Sequence, residues 1–150
     1  MLADSEAIAE YLNEAYPEVA MLPDTVQLRA KAREKGRLHD TRLEPAVRAL
    51  YPQVAYETRD KDAVHHGGQE ISKHLKSLEI FLKNCPLDTS KLWLCDCGFA
   101  VTFAWIRRFE EALRLVIEWP QSVTAYHMLA HRSPRGLYNT LALCMTSKCS

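Results

Sequence analysis

The chain has 150 residues, 47% hydrophobic and 25% charged, which is enough for one domain with a sizeable core. Lys plus Arg and Asp plus Glu each total 19, so the net charge is zero and neither a nucleic-acid nor a membrane-surface footprint is expected. No apolar run reaches the roughly 20 residues that span a bilayer, and the first residues lack the basic and apolar regions of a signal peptide, so a soluble cytoplasmic protein is expected.

In chain order, nearly every segment reads helical. Ile8, Tyr11, Leu12 and Ala15 fall at i, i+3, i+4 and i+7 and make one apolar stripe, which Pro17 closes. The next helix begins in "LPDTVQLRAKAR", where Asp24 can cap it with Gln27 three residues on, as in a capping box. Leu43, Val47, Leu50 and Val54 continue an apolar stripe past Pro45, so a kink is expected near residues 41–45. "ETRDKDAVHHGGQ" is polar, ends near Gly67-Gly68, and reads as a loop. Ile71, Leu75, Leu78 and Leu82 mark another amphipathic helix, and Asn84 to Leu94 is a connector.

From Phe99 to Ile106 only Thr102 is polar, and a helix with no polar face belongs in the middle of a core. This central helix is expected to run from Phe99 to Ile117, with Pro120 ending it. A helix from about Ser122 to Ala130 follows, and Ser133-Pro134 starts a last one to about Cys144. "KLWLC" is the one short strand candidate. The expected fold class is therefore all-α, a bundle of about five or six helices around the central one.

Cys85, Cys95, Cys97, Cys144 and Cys149 are odd in number and irregularly spaced, and read as reduced thiols. Cys95 and Cys97 would point apart on a helix, and His65, His66 and His74 fit no zinc spacing, so no metal is expected.

"ADSEAIAEYLNEAYPEVAMLPDTVQLRAKAR" resembles the junction between the two domains of cytosolic glutathione transferases. The series that carries the likeness is Asp4, Ser5, Ala7, Ile8, Tyr11, Leu12, Tyr16, Pro17, Leu22, Pro23, Asp24, Arg29, Ala30 and Arg33. "DCGFAVTFAW" is similar to the buried central helix of that family, and "WPQSVTAYHMLAHRSP" to a segment after it. The resemblance implies that residues 1–17 are the last helix of a thioredoxin-like domain and residues 18–150 the C-terminal helical domain. It implies glutathione as co-substrate, a small hydrophobic electrophile as second substrate, and a homodimer.

On that resemblance Asp4 and Ser5 contact the γ-glutamyl end of glutathione, Asp4 accepting from its ammonium and Ser5 offering its hydroxyl and nearby N–H groups to its carboxylate. Read from the residues alone, Ser5 is a plain N-cap. His39, Arg42 and Phe109 are the candidates for the hydrophobic-substrate side; from the residues alone His39 reads as a surface histidine. The thiol-activating Tyr, Ser or Cys of the family would sit in the thioredoxin-like half, so no catalytic residue is assigned and conjugating activity is expected to be weak or absent. The alternative is a non-catalytic helical module for dimerisation or partner binding. One departure concerns the central helix. The family places Ser or Thr three residues before its Asp; here position 93 is Trp93, so a cap worth about 1 kcal/mol is expected to be lost ahead of Asp96.

Overall fold

The computed structural model describes residues 5–19, 21–85, 87, 88 and 91–132. Among them every regular element is helical. Helix α1 is Ser5–Ala15, α2 Val26–Leu38, α3 Glu44–Arg48, α4 Lys61–Asn84, α5 Cys97–Leu113 and α6 Gln121–Arg132. The expected helix over residues 134–144 lies outside the described residues. No described helix is long and apolar enough to cross a membrane.

Helix α1 carries its apolar stripe but does not bury it: Ile8, Tyr11 and Leu12 are exposed. Polar contacts tie it down instead. Arg33 Nε donates to Glu10 at 2.8 Å, and Met21 N–H donates to Asn13 Oδ1 at 2.7 Å.

The cap of α2 lies one residue later than Asp24. Thr25 has extended backbone, and its Oγ1 accepts from the Leu28 N–H at 3.2 Å. Residues His39–Leu43 form a π turn that joins α2 to α3 without a break. That places the expected kink beside Pro45, whose missing N–H cannot serve the α register. The inward row of α2 and the turn is Ala32, Lys35, Gly36, His39 and Leu43, so much of this buried face is polar or small.

Helix α4 starts eight residues before Gln69, inside the segment that reads as a loop. Asp60 Oδ1 accepts from the N–H groups of Asp62 and Ala63 at 2.9 and 3.2 Å and starts the helix. Gly67 and Gly68 are buried helical residues and not a turn. A Cβ on Gly67 would sit 2.6 Å from Leu50 Cδ2, so the glycine lets α3's end pack against α4.

Phe99, Phe103 and Ile106 of α5 are fully buried, and Leu43, Leu50, Ile71, Leu75, Leu78 and Val123 close around them. The helix ends at Leu113 and not near Ile117. Arg114 takes the left-handed conformation, φ 54° and ψ 42°, and breaks the ladder well before Pro120. The irregular stretch that follows still buries Ile117, and the Glu118 N–H donates to Ser72 Oγ at 3.1 Å. "KLWLC" forms no strand; Leu94–Asp96 is one 3₁₀ turn leading into α5.

Candidate functional site

The start of α5 is built around one carboxylate. Asp96 Oδ2 accepts the Trp93 N–H at 2.8 Å. This is half of a capping box. The other half needs an acceptor on the side chain at position 93, and an indole has none; Trp93 Nε1 donates to the Asp88 carbonyl at 2.9 Å instead. Asp96 Oδ1 accepts from Lys35 Nζ of α2 and from the Tyr126 hydroxyl of α6, the latter at 2.5 Å. All three side chains are buried, and Lys35 Nζ also lies 4.1 Å from the centre of the Tyr126 ring. An ion pair this deep needs further donors to offset desolvation, and the carboxylate finds them in the Trp93 N–H and the Tyr126 hydroxyl.

The phenol and the two thiols beside this carboxylate hold their protons at neutral pH. Burial, and then the Asp96 charge, push the Tyr126 phenol well above its usual value. The same two causes push the Cys95 thiol up to about 12, with Lys35 opposing, and raise the Cys97 thiol. A thiol or phenol so placed is a poor nucleophile or base at neutral pH.

A second polar contact lies one turn along. His39 Nδ1 is 2.7 Å from Asp40 Oδ1, and Nε2 is 2.7 Å from Thr102 Oγ1. A carboxylate only accepts, so Nδ1 carries the proton; in the neutral ring Nε2 accepts from the Thr102 hydroxyl. Carboxylate, imidazole and hydroxyl in that order is the arrangement of an activated nucleophile. Here Thr102 is 5% exposed and His39 7%, so the hydroxyl is closed to a substrate and the group joins the π turn after α2 to α5. The His39 ring also packs on Phe99, with centroids 4.9 Å apart.

The residues chosen from sequence go to different places. Asp4 lies outside the described residues, and Ser5 is the first residue of α1. His39 is buried and not on the surface, because the polar inward row of α2 carries it against α5. Arg42 is exposed and lines grooves between the bent helix and α4. Phe109 is a core side chain, covered by Tyr51 and Trp105 at centroid distances of 5.3 and 5.8 Å. Among the described residues no group of three or more His, Cys, Asp or Glu is placed to hold a metal.

Sequence reasoning missed Lys35, Tyr126 and Thr102 as members of these networks. Thr102 carried a usable signal, being the lone polar residue of an otherwise apolar stretch. Lys35 carried none, since a lysine on an amphipathic helix ordinarily faces water. No protein-family model matches the sequence, and no curated protein matches it significantly.

Proposed function

We propose that this chain is a glutathione-transferase-like protein whose own conjugating activity is weak or absent. Residues 18–150 correspond on this reading to the C-terminal helical domain, and residues 1–17 to the last helix of a thioredoxin-like one. The reading is supported by the bent α2–α3 helix lying beside a buried central helix, and by Asp96 tying the mouth of that helix to its own backbone.

The observation that carries the low activity is the state of the thiols, phenol and imidazole near the α5 start. Cys95 and Tyr126 hold their protons at neutral pH, and both His39 nitrogens are committed. None of them is poised to activate the thiol of glutathione. A spectrophotometric assay with glutathione and an activated aryl halide should show little turnover above the uncatalysed rate. Robust turnover by the purified chain would sink this reading. Calorimetric titration with glutathione separates binding from chemistry: a Kd tighter than about 1 mM supports the Asp4 and Ser5 contact, and its absence removes it.

The second reading, a helical module for dimerisation or partner binding, is favoured by α1. Its Ile8, Tyr11 and Leu12, with Tyr16 just past its end, are exposed large apolar side chains within one short stretch. Sedimentation across a concentration series tests it, and a clean monomer at high concentration counts against a homodimer.

A further inference from the structure

The N-terminal half of α4 and the irregular stretch after α5 enclose a cleft of about 1400 Å³ that shares no lining residue with the Asp96 network. Its apolar lining includes Val64, Leu113 and Leu115, and Tyr56 stands at its edge with 81% of its surface exposed. Arg59, Lys61 and Arg114 line it as well. Arg59 is pinned in place, Nε donating to the Gln53 carbonyl at 2.9 Å and a terminal nitrogen to the Val54 carbonyl at 3.1 Å. Those carbonyls orient the guanidinium without neutralising it. Lys61 and Arg114 form no ion pair among the described residues. Of the two glutamates in the lining, Glu118 is already paired with Lys76, which leaves Glu111. The cleft is thus locally positive in a chain with no net charge.

Arg114 adds an independent observation. It is the one non-glycine with positive φ among the described residues, at the helix terminus where glycine ordinarily stands. Strain kept at a cleft edge by a charged side chain points to a use for that charge. The Arg59 guanidinium lies 5.6 Å from the Tyr56 ring centre, so it occupies one face of a ring that is otherwise open.

We propose that this cleft binds a nucleoside di- or triphosphate, the base stacked on the open face of Tyr56 and the phosphates held among Arg59, Lys61 and Arg114. Three unneutralised cations suit a ligand with several negative charges, and guanidinium and ammonium groups are the usual phosphate partners. A planar base gains from an exposed aromatic face in a way that an aliphatic chain does not. The proposal does not rest on the glutathione contact proposed above, and its test does not depend on that reading.

The test is calorimetry on the whole chain with ADP at low ionic strength, with pyrophosphate, adenosine and dodecanoate as comparisons. ADP is expected to saturate one site, to weaken with added salt, and to bind more tightly than each comparison. Tyr56→Ala should weaken ADP by about tenfold while leaving pyrophosphate nearly unchanged. Arg114→Gly should weaken ADP at least about fivefold while its denaturation midpoint stays level or rises, because glycine accepts the left-handed backbone. No saturation up to about 5 mM ADP overturns the proposal, as does unchanged ADP binding in both variants. Dodecanoate or pyrophosphate binding as tightly as ADP also overturns it, since neither needs a base on Tyr56.

Discussion

Gly98 leaves the space that the His39 ring fills: a Cβ at position 98 would lie 2.6 Å from His39 Cε1 and 2.8 Å from Nδ1. The ring cannot retreat without giving up Asp40 on one side or Thr102 on the other. Gly98→Ala is therefore expected to destabilise the fold by about 1–3 kcal/mol, although alanine is the better helix former. The effect should be coupled to His39. In His39→Ala the clash disappears, so the double variant should be less destabilised than the sum of the singles, read by urea denaturation.

Asp96 is the point where α2, α5 and α6 meet. Asp96→Asn keeps the shape and removes the charge, leaving Lys35 buried without its counter-ion. Breaking a buried pair in this way costs about 3–5 kcal/mol. Replacing both ends, Asp96→Asn with Lys35→Met, should recover part of that loss, because no charge is then left uncompensated. Denaturation midpoints of the three proteins decide it: a double variant as weak as Asp96→Asn alone would show that the geometry of the carboxylate matters more than the charge balance.

Apolar periodicity made much of this architecture legible, and it failed where burial was not apolar. The all-helical class and the central place of Phe99, Phe103 and Ile106 follow from an apolar run with one polar residue. The start of α4 was hidden because its first turns carry charge on their wet side and glycine on their dry side, and a glycine pair reads as a turn unless the neighbour that needs the space is known. The end of α5 was hidden because it depends on Arg114, which has no sequence mark of a helix stop. Lys35 and His39 were illegible as inward residues for the same reason: only the partners on α5 and α6 make their burial tolerable.

Alkaline pH should weaken the fold from this same region. The thiol of Cys95 loses its proton near 9.0 ordinarily and near about 12 in the folded chain. Between those values the unfolded chain holds fewer protons than the folded one, so stability is fully present below pH 9 and falls as pH rises through the window. Tyr126 acts in the same direction from its ordinary value of 10.0 upward. The slope from the thiol is on the order of 1 kcal/mol per pH unit. Cys95→Ala should flatten the fall between pH 9 and 12 in denaturation midpoints, and an unchanged slope would place its cause elsewhere.

His74 sets the opposite limb. Its Nδ1 is buried with no hydrogen-bond partner among the described residues, and Nε2 is 3.6 Å from Glu70 Oε2. Burial lowers its pKa below 6.5; Glu70 opposes this, while Lys73 and Arg42 add to it. As pH falls below 6.5 the unfolded chain takes the proton first, so this contribution is present above that value and is lost on acidification. His74→Leu should reduce the loss between neutral pH and the carboxylate range. It should cost little at pH 7, because an unsatisfied ring nitrogen is exchanged for an apolar group. A steeper acid limb in the variant would contradict the assignment.

The exposed stripe of α1 separates stability from association. Tyr11 and Leu12 have 58% and 47% of their surface open, so they contribute little to the fold of the single chain. Tyr11→Lys with Leu12→Glu should shift the denaturation midpoint by no more than about 0.5 kcal/mol equivalent. If this face mediates self-association, the same double change should lower the sedimentation-average mass at high concentration, since two new charges would have to be desolvated in the contact. A control pair on the polar side of the same helix, Glu10→Lys with Glu14→Lys, tests charge reversal and removes the Arg33 bridge. Loss of association in the control but not in the apolar variant would assign the contact to the charges of α1 and away from its stripe.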